Sequence, residues 1–508
     1  MATESKQTIA VIGAGAMGRG IVQLFAQSGH RVKFYDTSES AVTAAHAFIT
    51  NMFDSKVDKG RISREEADKA TARLIPCTEL DEVADCDIVV EAVLEDLEIK
   101  RGLFAELEAV LSPSAVIASN TSSLLIADIA ASCKHPERVA GLHFFNPVPV
   151  MRVVEIISSV RTSAATVDRL KACIGTTGHR AVLTQDQPGF LINHAGRGLY
   201  TEGLRILEEQ AASHEQVDLL MREAAGFRMG PFELLDLTGL DVSSKVMQSI
   251  YDQFQQEPRF RPSSIIPPRV SAGLFGRKTG EGWYRYQDGK KVETGTASGP
   301  APTLSDNCIV WIDPAADQHE ELSALSKLAG ARVSQSPDDA SLLLIQPWGI
   351  DVSQACADLE LDASRCVAVD PLPSLEMRRT LMLSPITRAQ PRDDAAAILG
   401  ADGAPYTIIS DSPGFVVQRM LATIVNIGTN IAQRGIATVE DIDDAVQIGL
   451  GYPAGPLALG DRIGPQKVMQ ILEGLLRVTG DPRYRPSHWL RRRAQLGENL
   501  STPEAARD

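Results

Sequence analysis

Three short features of the sequence hold residue types that enzymes use for chemistry. His143 is followed twelve residues later by Glu155, and an imidazole supported by a carboxylate is a common general base. Asn193 follows a Pro-Gly-Phe turn and offers an amide to a polar ligand. A glycine-rich run at 13–18 has the spacing that binds a dinucleotide. Together, a base, an amide and a dinucleotide loop indicate an enzyme that transfers hydride.

The glycine-rich run lies between a predicted strand and a predicted helix. Residues 8–13 form an apolar run of strand length, and residues 18–30 place apolar side chains at helical spacing. In such a turn the first glycine permits the bend, the second lets the backbone approach a pyrophosphate, and the third lets the helix pack on the sheet. We therefore assign five residues to the cofactor loop: Gly13, Gly15, Ala16, Met17 and Gly18.

Further apolar runs of strand length are separated by helical stretches at 87–92, 115–119 and 139–144. In a doubly wound sheet, ligands bind beyond the carboxyl ends of the strands. Polar residues end or follow these three runs, and we expect them to lie near one another. They are Glu91, Glu95, Ser122, His143 and Asn146.

Several longer motifs resemble those of the (S)-3-hydroxyacyl-CoA dehydrogenases of fatty-acid β-oxidation. They lie at 119–123, 141–151, 154–156, 188–190, 230–236 and 275–284, and the resemblance spans about residues 7–286. One departure is His194, which follows Asn193 where the family pattern has arginine. The resemblance implies NAD-dependent oxidation of an (S)-3-hydroxyacyl-CoA to a 3-ketoacyl-CoA.

The same resemblance implies roles for individual residues. His143 is the expected base for the substrate hydroxyl, Glu155 orients it, and Ser122 and Asn193 hydrogen-bond the substrate oxygens. The implied cofactor contacts, beyond the glycine loop, are Asp36, Glu95, Lys100, Ser122, Asn146 and Lys278. Lys59 matches a lysine near the CoA phosphates, but a solvated helical face is an equal alternative for the mixed charges of 56–73. No metal ligands are indicated.

The C-terminal half repeats the first. Residues 186–190 return 225 positions later as 411–415, and Asp236 returns as Asp461 at the same offset. Such fixed-period similarity indicates duplication. The stretch between the copies has short apolar runs but no glycine loop, so we expect one cofactor per chain. Counting back from Pro385 places Leu381 and Ser384 at the positions of His143 and Asn146, and Gln418 falls at Asn193, so the second copy is predicted to lack the chemistry.

The predicted fold is α/β, in four domains. A Rossmann NAD-binding domain (1–185) precedes an all-α domain (186–290), and a reduced Rossmann-like unit (303–410) precedes a second all-α domain (411–500), with a Gly/Ser/Thr/Pro-rich linker at 293–302. We expect the two helical domains to pack as an intrachain pseudo-dimer, and further association of whole chains is left open. This long form resembles the family members of bacterial phenylacetate catabolism, which act on 3-hydroxyadipyl-CoA. The other expected substrate is 3-hydroxybutyryl-CoA.

Composition narrows the classes of function. A net charge of −15 argues against nucleic-acid and anionic-membrane partners, and seven scattered cysteines without a Cys-x-x-Cys pair fit reduced thiols in the cytoplasm. No apolar run is long enough to span a membrane. Two alternatives remain: a β-hydroxyacid dehydrogenase of the 6-phosphogluconate type, which uses a lysine base, and a non-catalytic, crystallin-like protein of this fold. The His143–Glu155 pair counts against the first alternative, and the intact polar residues count against the second.

Asp36 predicts a preference for NAD over NADP. It ends the second predicted strand, 18 residues past Gly18, where a carboxylate hydrogen-bonds the ribose hydroxyls and repels a 2′-phosphate. Because like charges in contact cost several kcal/mol, we expect kcat/KM to be at least about 100-fold higher with NADH than with NADPH. Initial rates with both cofactors test this, and Asp36→Asn, which keeps a polar group but removes the charge, should narrow the ratio. Comparable wild-type values would contradict the assignment.

Overall fold

The computed structural model describes residues 7–292 and 302–505. The predicted linker at 293–302 lies outside the described residues, except for Pro302. The chain forms two compact units. The first comprises Met1–His194 with Gly435–Leu450, and the second comprises Ala195–Arg434 with Gly451–Asp508. A short segment from late in the chain therefore belongs to the first unit.

An eight-stranded sheet forms the centre of the first unit. Its strands are β1 (Thr8–Ile12), β2 (Arg31–Tyr35), β3 (Leu74–Pro76), β4 (Ile88–Glu91), β5 (Val116–Ser119), β6 (Val139–Phe144), β7 (Val153–Ser158) and β8 (Arg180–Gln185). They lie in the order β3-β2-β1-β4-β5-β6-β7-β8, and β6 and β7 are antiparallel while the other neighbours are parallel. This topology confirms the predicted Rossmann fold.

Helices cover both faces of this sheet. They are α1 (Ala16–Gln27), α2 (Glu39–Asp58), α3 (Arg64–Thr71), α4 (Leu97–Val110), α5 (Ile126–Ala130) and α6 (Ala164–Gly175), and α7 (Ile192–Ala195) follows β8. The apolar core on one face includes side chains of α1, α2, α3 and α6, and the core on the other includes those of α4 and α5. Strands buried on both faces explain the continuous apolar runs in the sequence.

The second unit begins with helices. They are α8 (Arg197–Glu208), α9 (His214–Glu223), α10 (Pro231–Thr238), α11 (Leu240–Gln253) and α12 (Ile266–Ser271), followed by a hairpin of β9 (Tyr286–Gln287) and β10 (Lys290–Lys291). The carboxylate of Asp236 on α10 accepts the N–H groups of Trp283 and Tyr284, each at 2.9 Å. This carboxylate therefore ties the chain before the hairpin to the helices.

A smaller, six-stranded sheet follows in the same unit. Its strands are β11 (Ile309–Ile312), β12 (Arg332–Ser334), β13 (Leu342–Ile345), β14 (Cys366–Val369), β15 (Arg379–Leu383) and β16 (Tyr406–Ser410), with helices α13 (His319–Ala329), α14 (Val352–Leu359) and α15 (Ala389–Leu399). The order is β12-β11-β13-β14-β15-β16, and β14 and β15 are antiparallel. This sheet confirms the predicted reduced Rossmann-like unit.

The last part of the chain is helical. It contains α16 (Val417–Gln433), α17 (Val439–Leu450), α18 (Pro456–Ile463), α19 (Pro465–Thr479) and α20 (His488–Leu496), of which α17 belongs to the first unit. In the second unit α16 packs closely against α8, since a Cβ added to Gly198 would lie 3.2 Å from the Ile427 side chain. Throughout residues 7–292 and 302–505, every helix is too short or too polar to cross a bilayer.

In each sheet, the end of the last strand forms a hydrogen bond with a segment from the helical domain of the other copy. In the first unit the N–H of Gln185, at the end of β8, donates to the carbonyl of Ile436 at 2.9 Å. In the second unit the N–H of Ser410, at the end of β16, donates to the carbonyl of Ala211 at 2.9 Å. The two contacts are related by the 225-residue offset of the duplication. The halves have therefore exchanged equivalent segments.

The two copies can be aligned through a shared helix cap. Asp186 accepts the first N–H groups of α5, and Asp411 accepts those of α14, so α14 corresponds to α5 and β13 to β5. By this alignment β3 and β4 have no counterpart. The register of β14 with β15 then places Asp370 at the position of His143 and Thr380 at that of Glu155.

The prediction that Leu381 and Ser384 occupy the positions of His143 and Asn146 is wrong. Leu381 lies on β15 and pairs with Val369, whereas His143 lies on β6, the counterpart of β14. The alignment of Pro385 with Pro147 does not hold, because Pro385 follows β15 whereas Pro147 follows β6, the counterpart of β14. The second copy still lacks a histidine at this position.

In the second copy a buried polar pair occupies the place of the histidine. The amide of Gln418 donates to Asp370 Oδ1 at 2.9 Å, and its oxygen accepts the N–H of Gly349 at 2.9 Å. Asp370 is 2% exposed and Gln418 is fully buried. Burial raises the pKa of Asp370 to about 7, although the bonds from Gln418 and the backbone oppose the shift.

Asp370→Asn should stabilise the protein at neutral and higher pH. The pKa of Asp370 is about 7 in the folded protein and has its ordinary value of 3.8 in the unfolded chain. Between these pH values the folded protein therefore binds a proton that the unfolded chain has lost. Stability of the wild type then falls as pH rises from about 4 to 7, by up to about 4 kcal/mol. The neutral amide lacks this loss, so the free energy of unfolding in urea should differ between variant and wild type by about 2 kcal/mol at pH 5 and about 4 kcal/mol at pH 8.

Burial also raises the pKa of Asp218 to about 7. Asp218 is present in both proteins, so the difference in unfolding free energy between variant and wild type reports Asp370 alone. Asp339→Asn, at an exposed carboxylate of the same unit, serves as the control and should change little. A difference for Asp370→Asn that does not grow with pH would refute the argument.

Candidate functional site

The imidazole of His143 and the carboxylate of Glu155 form a buried pair. Antiparallel register places the two residues opposite each other on β6 and β7, and Nδ1 lies 2.6 Å from Oε2. His143 is 5% exposed and Glu155 is fully buried. Since a carboxylate only accepts hydrogen bonds, Nδ1 carries the proton, and Nε2 has the lone pair available to a ligand.

The other oxygen of Glu155 fixes the start of α7. Oε1 accepts the N–H groups of Leu191 and Ile192 at 2.9 and 2.7 Å. Just before them, Phe190 adopts a φ of +49° in the tight turn, and its ring lies 5.9 Å from the His143 imidazole. Asn193 is the next residue of α7, half-buried. Glu155 therefore positions both the imidazole and the turn that carries Asn193.

The glycine loop has the shape that a dinucleotide requires. Gly13 has a φ of +105°, and a Cβ on Gly18 would overlap the Gly13 carbonyl at 1.8 Å. A Cβ on Gly15 would meet nothing within 4 Å, so the helix end is open to a ligand. Ala16 and Met17, at the first turn of α1, are exposed and half-buried. With glycine as N-cap, no cap side chain covers the first N–H groups of α1, which therefore fit a pyrophosphate.

Asp36 lies at the end of β2 and supports the loop. Its Oδ2 accepts the N–H of Ala14 at 2.8 Å, and its Oδ1 accepts the N–H of Ser38 at 3.0 Å. The side chain is half-buried beside the glycine turn.

Three of the predicted cofactor contacts meet in one network. Glu95 Oε1 accepts the N–H of Ser122 at 3.0 Å and the hydroxyl of Thr121 at 2.6 Å, and Oε2 lies 3.3 Å from Lys100 Nζ. Burial raises the pKa of Glu95, but the Thr121 hydroxyl, the Lys100 charge and the neighbouring donors outweigh it and hold the pKa below its usual value. Glu95 therefore remains ionised and holds the loop after β5.

The partner of Lys100 is not evident from the sequence. Its Nζ lies 2.6 Å from Glu91 Oε1, and both side chains are almost completely buried. Glu91 also accepts the Ser119 hydroxyl at 2.6 Å. A carboxylate at the end of a strand and a lysine in the following helix can form such a pair, but only the tertiary structure shows that these two residues do.

The three remaining predicted ligand residues have other surroundings. Lys278 belongs to the second unit, where it forms an ion pair with Asp241. Lys59 is the exposed C-cap residue of α2. Asn146 is exposed after β6 and lines a cavity of about 530 Å³ in the first unit.

This cavity is basic, which the sequence did not reveal. Its lining includes Arg19, Lys56, Arg61 and Arg152 together with apolar side chains such as Phe48, and the Arg19 guanidinium lies 4.0 Å from the Phe48 ring centroid. Burial and the charge of Arg61 lower the pKa of Lys56. A cluster of cations with an apolar wall fits a ligand that is both anionic and partly apolar.

A Rossmann sheet with an open glycine loop and a buried histidine–carboxylate pair defines a nicotinamide-dependent dehydrogenase. Comparison with protein families finds the 3-hydroxyacyl-CoA dehydrogenase NAD binding domain at residues 8–187 and the C-terminal domain of that family at 189–286 and 414–503. The chain belongs to the 3-hydroxyacyl-CoA dehydrogenase family and is an NAD-dependent enzyme of that class. The double match of the C-terminal domain agrees with the duplication.

Individual relatives cover either the whole chain or its first part. The 3-hydroxyadipyl-CoA dehydrogenase of Escherichia coli is 37% identical over 490 residues, which cover 96% of this chain and 98% of the relative. The 3-hydroxybutyryl-CoA dehydrogenase of Bradyrhizobium diazoefficiens is 37% identical over 286 residues, covering 56% of this chain and 97% of that protein. A crystal structure of 3-hydroxybutyryl-CoA dehydrogenase from E. coli superposes with a TM-score of 0.85 over 97% of this chain and 99% of the other, at 36% identity. These matches do not favour the 6-phosphogluconate-type or crystallin-like alternatives.

Proposed function

We propose that this enzyme oxidises the dicarboxylic substrate 3-hydroxyadipyl-CoA to 3-ketoadipyl-CoA, with His143 as the general base. The choice of substrate is supported by the likeness to a protein named for that substrate, to which this chain is 37% identical over 98% of the relative's length. The proposal of mechanism rests on one observation, the buried His143–Glu155 pair with Nδ1 and Oε2 at 2.6 Å. Shorter acyl groups such as 3-hydroxybutyryl are the alternative substrate.

In this mechanism His143 takes the hydroxyl proton at Nε2. NAD, which the glycine loop and Asp36 would hold, would accept the hydride from the carbon that carries this hydroxyl group. As Nε2 is protonated, the imidazole becomes a cation, and the ionised Glu155 stabilises that charge at Nδ1. Because Glu155 is fixed by two backbone N–H groups, it keeps the ring oriented while the charge changes. Burial of the pair strengthens this interaction relative to water.

Ser122 and Asn193 supply hydrogen bonds to the substrate oxygens. Ser122 lies in the loop that Glu95 holds, and Asn193 lies in the helix that Glu155 holds, so both donors are placed by carboxylates that accept backbone N–H groups. Donors fixed in advance stabilise the charge that develops on oxygen without reorganising. Lys100 contributes by neutralising Glu91 and Glu95 beside the cofactor loop.

The basic cavity is the proposed site for the CoA part of the substrate. Its four cations lie beside the glycine loop residue Ala16 and beside Asn146, and they supply the local positive charge that a chain of net charge −15 otherwise lacks. The apolar side chains suit the pantetheine arm. Lys59, which lies between the lining residues Lys56 and Arg61 in the sequence, is proposed to meet an outer phosphate.

Replacing His143 with glutamine should lower kcat by about 10²- to 10⁴-fold, the range for loss of a general base. KM should change by only a few-fold, because the amide keeps a polar contact to the substrate. Steady-state oxidation of 3-hydroxyadipyl-CoA with NAD measures both parameters. His135→Gln, at an exposed histidine of the same unit, is the matched control. A His143→Gln enzyme with wild-type kcat would exclude this residue as the base.

We also propose that the two helical halves form an intrachain pseudo-dimer. Support comes from the fully buried ion pair between Glu202 on α8 and Arg419 on α16, which Tyr484 joins through a bond to Glu202 of 2.7 Å. Burial raises the pKa of Glu202, but the Arg419 and Arg483 charges outweigh it and lower the pKa below its usual value. The exchanged segments at Gln185 and Ser410 support the same proposal. The cytoplasm is the proposed location, since all seven cysteines are free thiols.

Arg419→Met should destabilise the protein by about 3–5 kcal/mol, because Glu202 is left as a buried charge without its main counter-ion. The double variant Glu202→Met with Arg419→Met should recover much of this loss, since no unpaired charge remains. Urea unfolding gives both values. Hydrogen exchange should increase together in α8 and α16 of the single variant. An increase confined to one helix would count against the pseudo-dimer.

A further inference from the structure

Ser122 and Ser123 follow β5 and share one acceptor, the Oε1 oxygen of Glu95. Five donors face this oxygen. The hydroxyls of Thr121, Ser123 and Ser122 lie at 2.6, 2.9 and 3.5 Å from it, and the N–H groups of the two serines lie at 3.0 and 3.1 Å. A carboxylate oxygen has about two lone pairs, so it cannot accept all five hydrogen bonds at full strength.

The hydroxyl of Ser122 is the weakest of these five donors. A hydroxyl normally donates over about 2.5–3.0 Å, and the 3.5 Å from Ser122 is beyond that range, whereas the 2.9 Å from Ser123 is within it. The Thr121 side chain is fixed, since it is 1% exposed and its oxygen also accepts the N–H of Leu124 at 3.0 Å. Because Ser123 occupies Glu95, the proton of the Ser122 hydroxyl is available to a ligand.

The second copy shows that the turn after β5 does not need these hydroxyls. Residues 120–125 join β5 to α5 and residues 346–351 join β13 to α14, so the two turns have equal length, and an aspartate caps each helix. The turn at 346–351 contains no serine or threonine. Because β4 has no counterpart in that copy, Glu95, which follows β4, has none either. The hydroxyls and the carboxylate thus occur together in the copy that has the histidine, and neither occurs in the other.

We propose that Ser123 is a positioning residue, whose hydroxyl occupies Glu95 so that the hydroxyl of Ser122 can donate to the substrate oxygen. This inference rests on the proposed role of Ser122. As the substrate hydroxyl gives its proton to His143, negative charge develops on its oxygen, and a donor already directed at that oxygen stabilises the charge. Without the Ser123 hydroxyl, Glu95 has a free lone pair for Ser122. A hydrogen bond from a hydroxyl to an ionised carboxylate is short and strong, and it would direct the Ser122 proton away from the substrate.

A double-mutant cycle tests whether Ser123 acts through Ser122. Ser122→Ala should lower kcat by about 10²-fold or more, the effect of losing a donor to a developing oxyanion. Ser123→Ala should lower kcat by about 3- to 10-fold in the wild-type background, since the Ser122 hydroxyl then bonds Glu95 instead of the substrate for part of the time. In the Ser122→Ala background the same change should have less than about a twofold effect, because no hydroxyl remains to be redirected. Steady-state oxidation with NAD gives these values, with 3-hydroxyadipyl-CoA or 3-hydroxybutyryl-CoA, whichever is turned over faster.

Three further variants complete the test. Ser123→Thr keeps a hydroxyl at the same position, so its kcat should stay within about twofold of wild type. Ser114→Ala, at an exposed serine before β5, is the control and should change little. Should Ser123→Ala fail to fold, Ser123→Cys takes its place in the cycle, because a thiol is a weak donor.

The outcomes separate the role of Ser123 from that of Ser122. Equal losses from Ser123→Ala in both backgrounds would show a merely structural role and overturn the proposal. An unchanged kcat in the wild-type background, or a Ser123→Thr enzyme as slow as Ser123→Ala, would also overturn it. A Ser122→Ala enzyme with wild-type kcat would instead overturn the proposed role of Ser122 in the reaction, and the role of Ser123 with it.

Discussion

The buried carboxylate of Glu155 is the contact on which the geometry of the site depends. One oxygen holds the His143 imidazole at 2.6 Å, and the other accepts two backbone N–H groups where α7 begins. Glu155 is fully buried, and a buried carboxylate is stable only when hydrogen-bond donors compensate its negative charge. Because one side chain joins β6, β7 and α7, a shift in any of these elements would move the imidazole and Asn193 relative to each other.

The sequence predicted the parts of the fold that local chemistry determines. The glycine spacing at 13–18 and the apolar runs gave the Rossmann topology, since glycine conformations and buried strands leave clear local patterns. The histidine–glutamate pair was also identified, through motifs around both residues. The Lys100–Glu91 pair and the basic cavity were not, because their residues come together only when separate elements pack. Leu381 was wrongly aligned with His143 for the same reason, because strand register depends on which strands pair and not on the distance in sequence from a proline.

Duplication separates what this fold requires from what its chemistry requires. Asp186 and Asp411 both cap a helix, and Phe190 and Phe415 both adopt positive φ, at +49° and +53°. These features recur because the turn cannot form without them. His143, in contrast, is replaced by Asp370, whose bond to Gln418 fills the equivalent space. The position of the proposed base has thus become a packing position in the second copy, whereas the helix cap is kept in both copies.

The exchange of segments between the halves also constrains the order in which the protein matures. The edge of β8 is completed by Ile436, which is synthesised roughly 250 residues later. At a translation rate of about 5–20 residues per second, the first sheet emerges with an uncovered edge for roughly ten to fifty seconds. An open strand edge is a template for pairing with other chains. Until the C-terminal half has been synthesised, the nascent chain therefore exposes the part of the β8 edge that Ile436 and Asp441 cover in the folded protein.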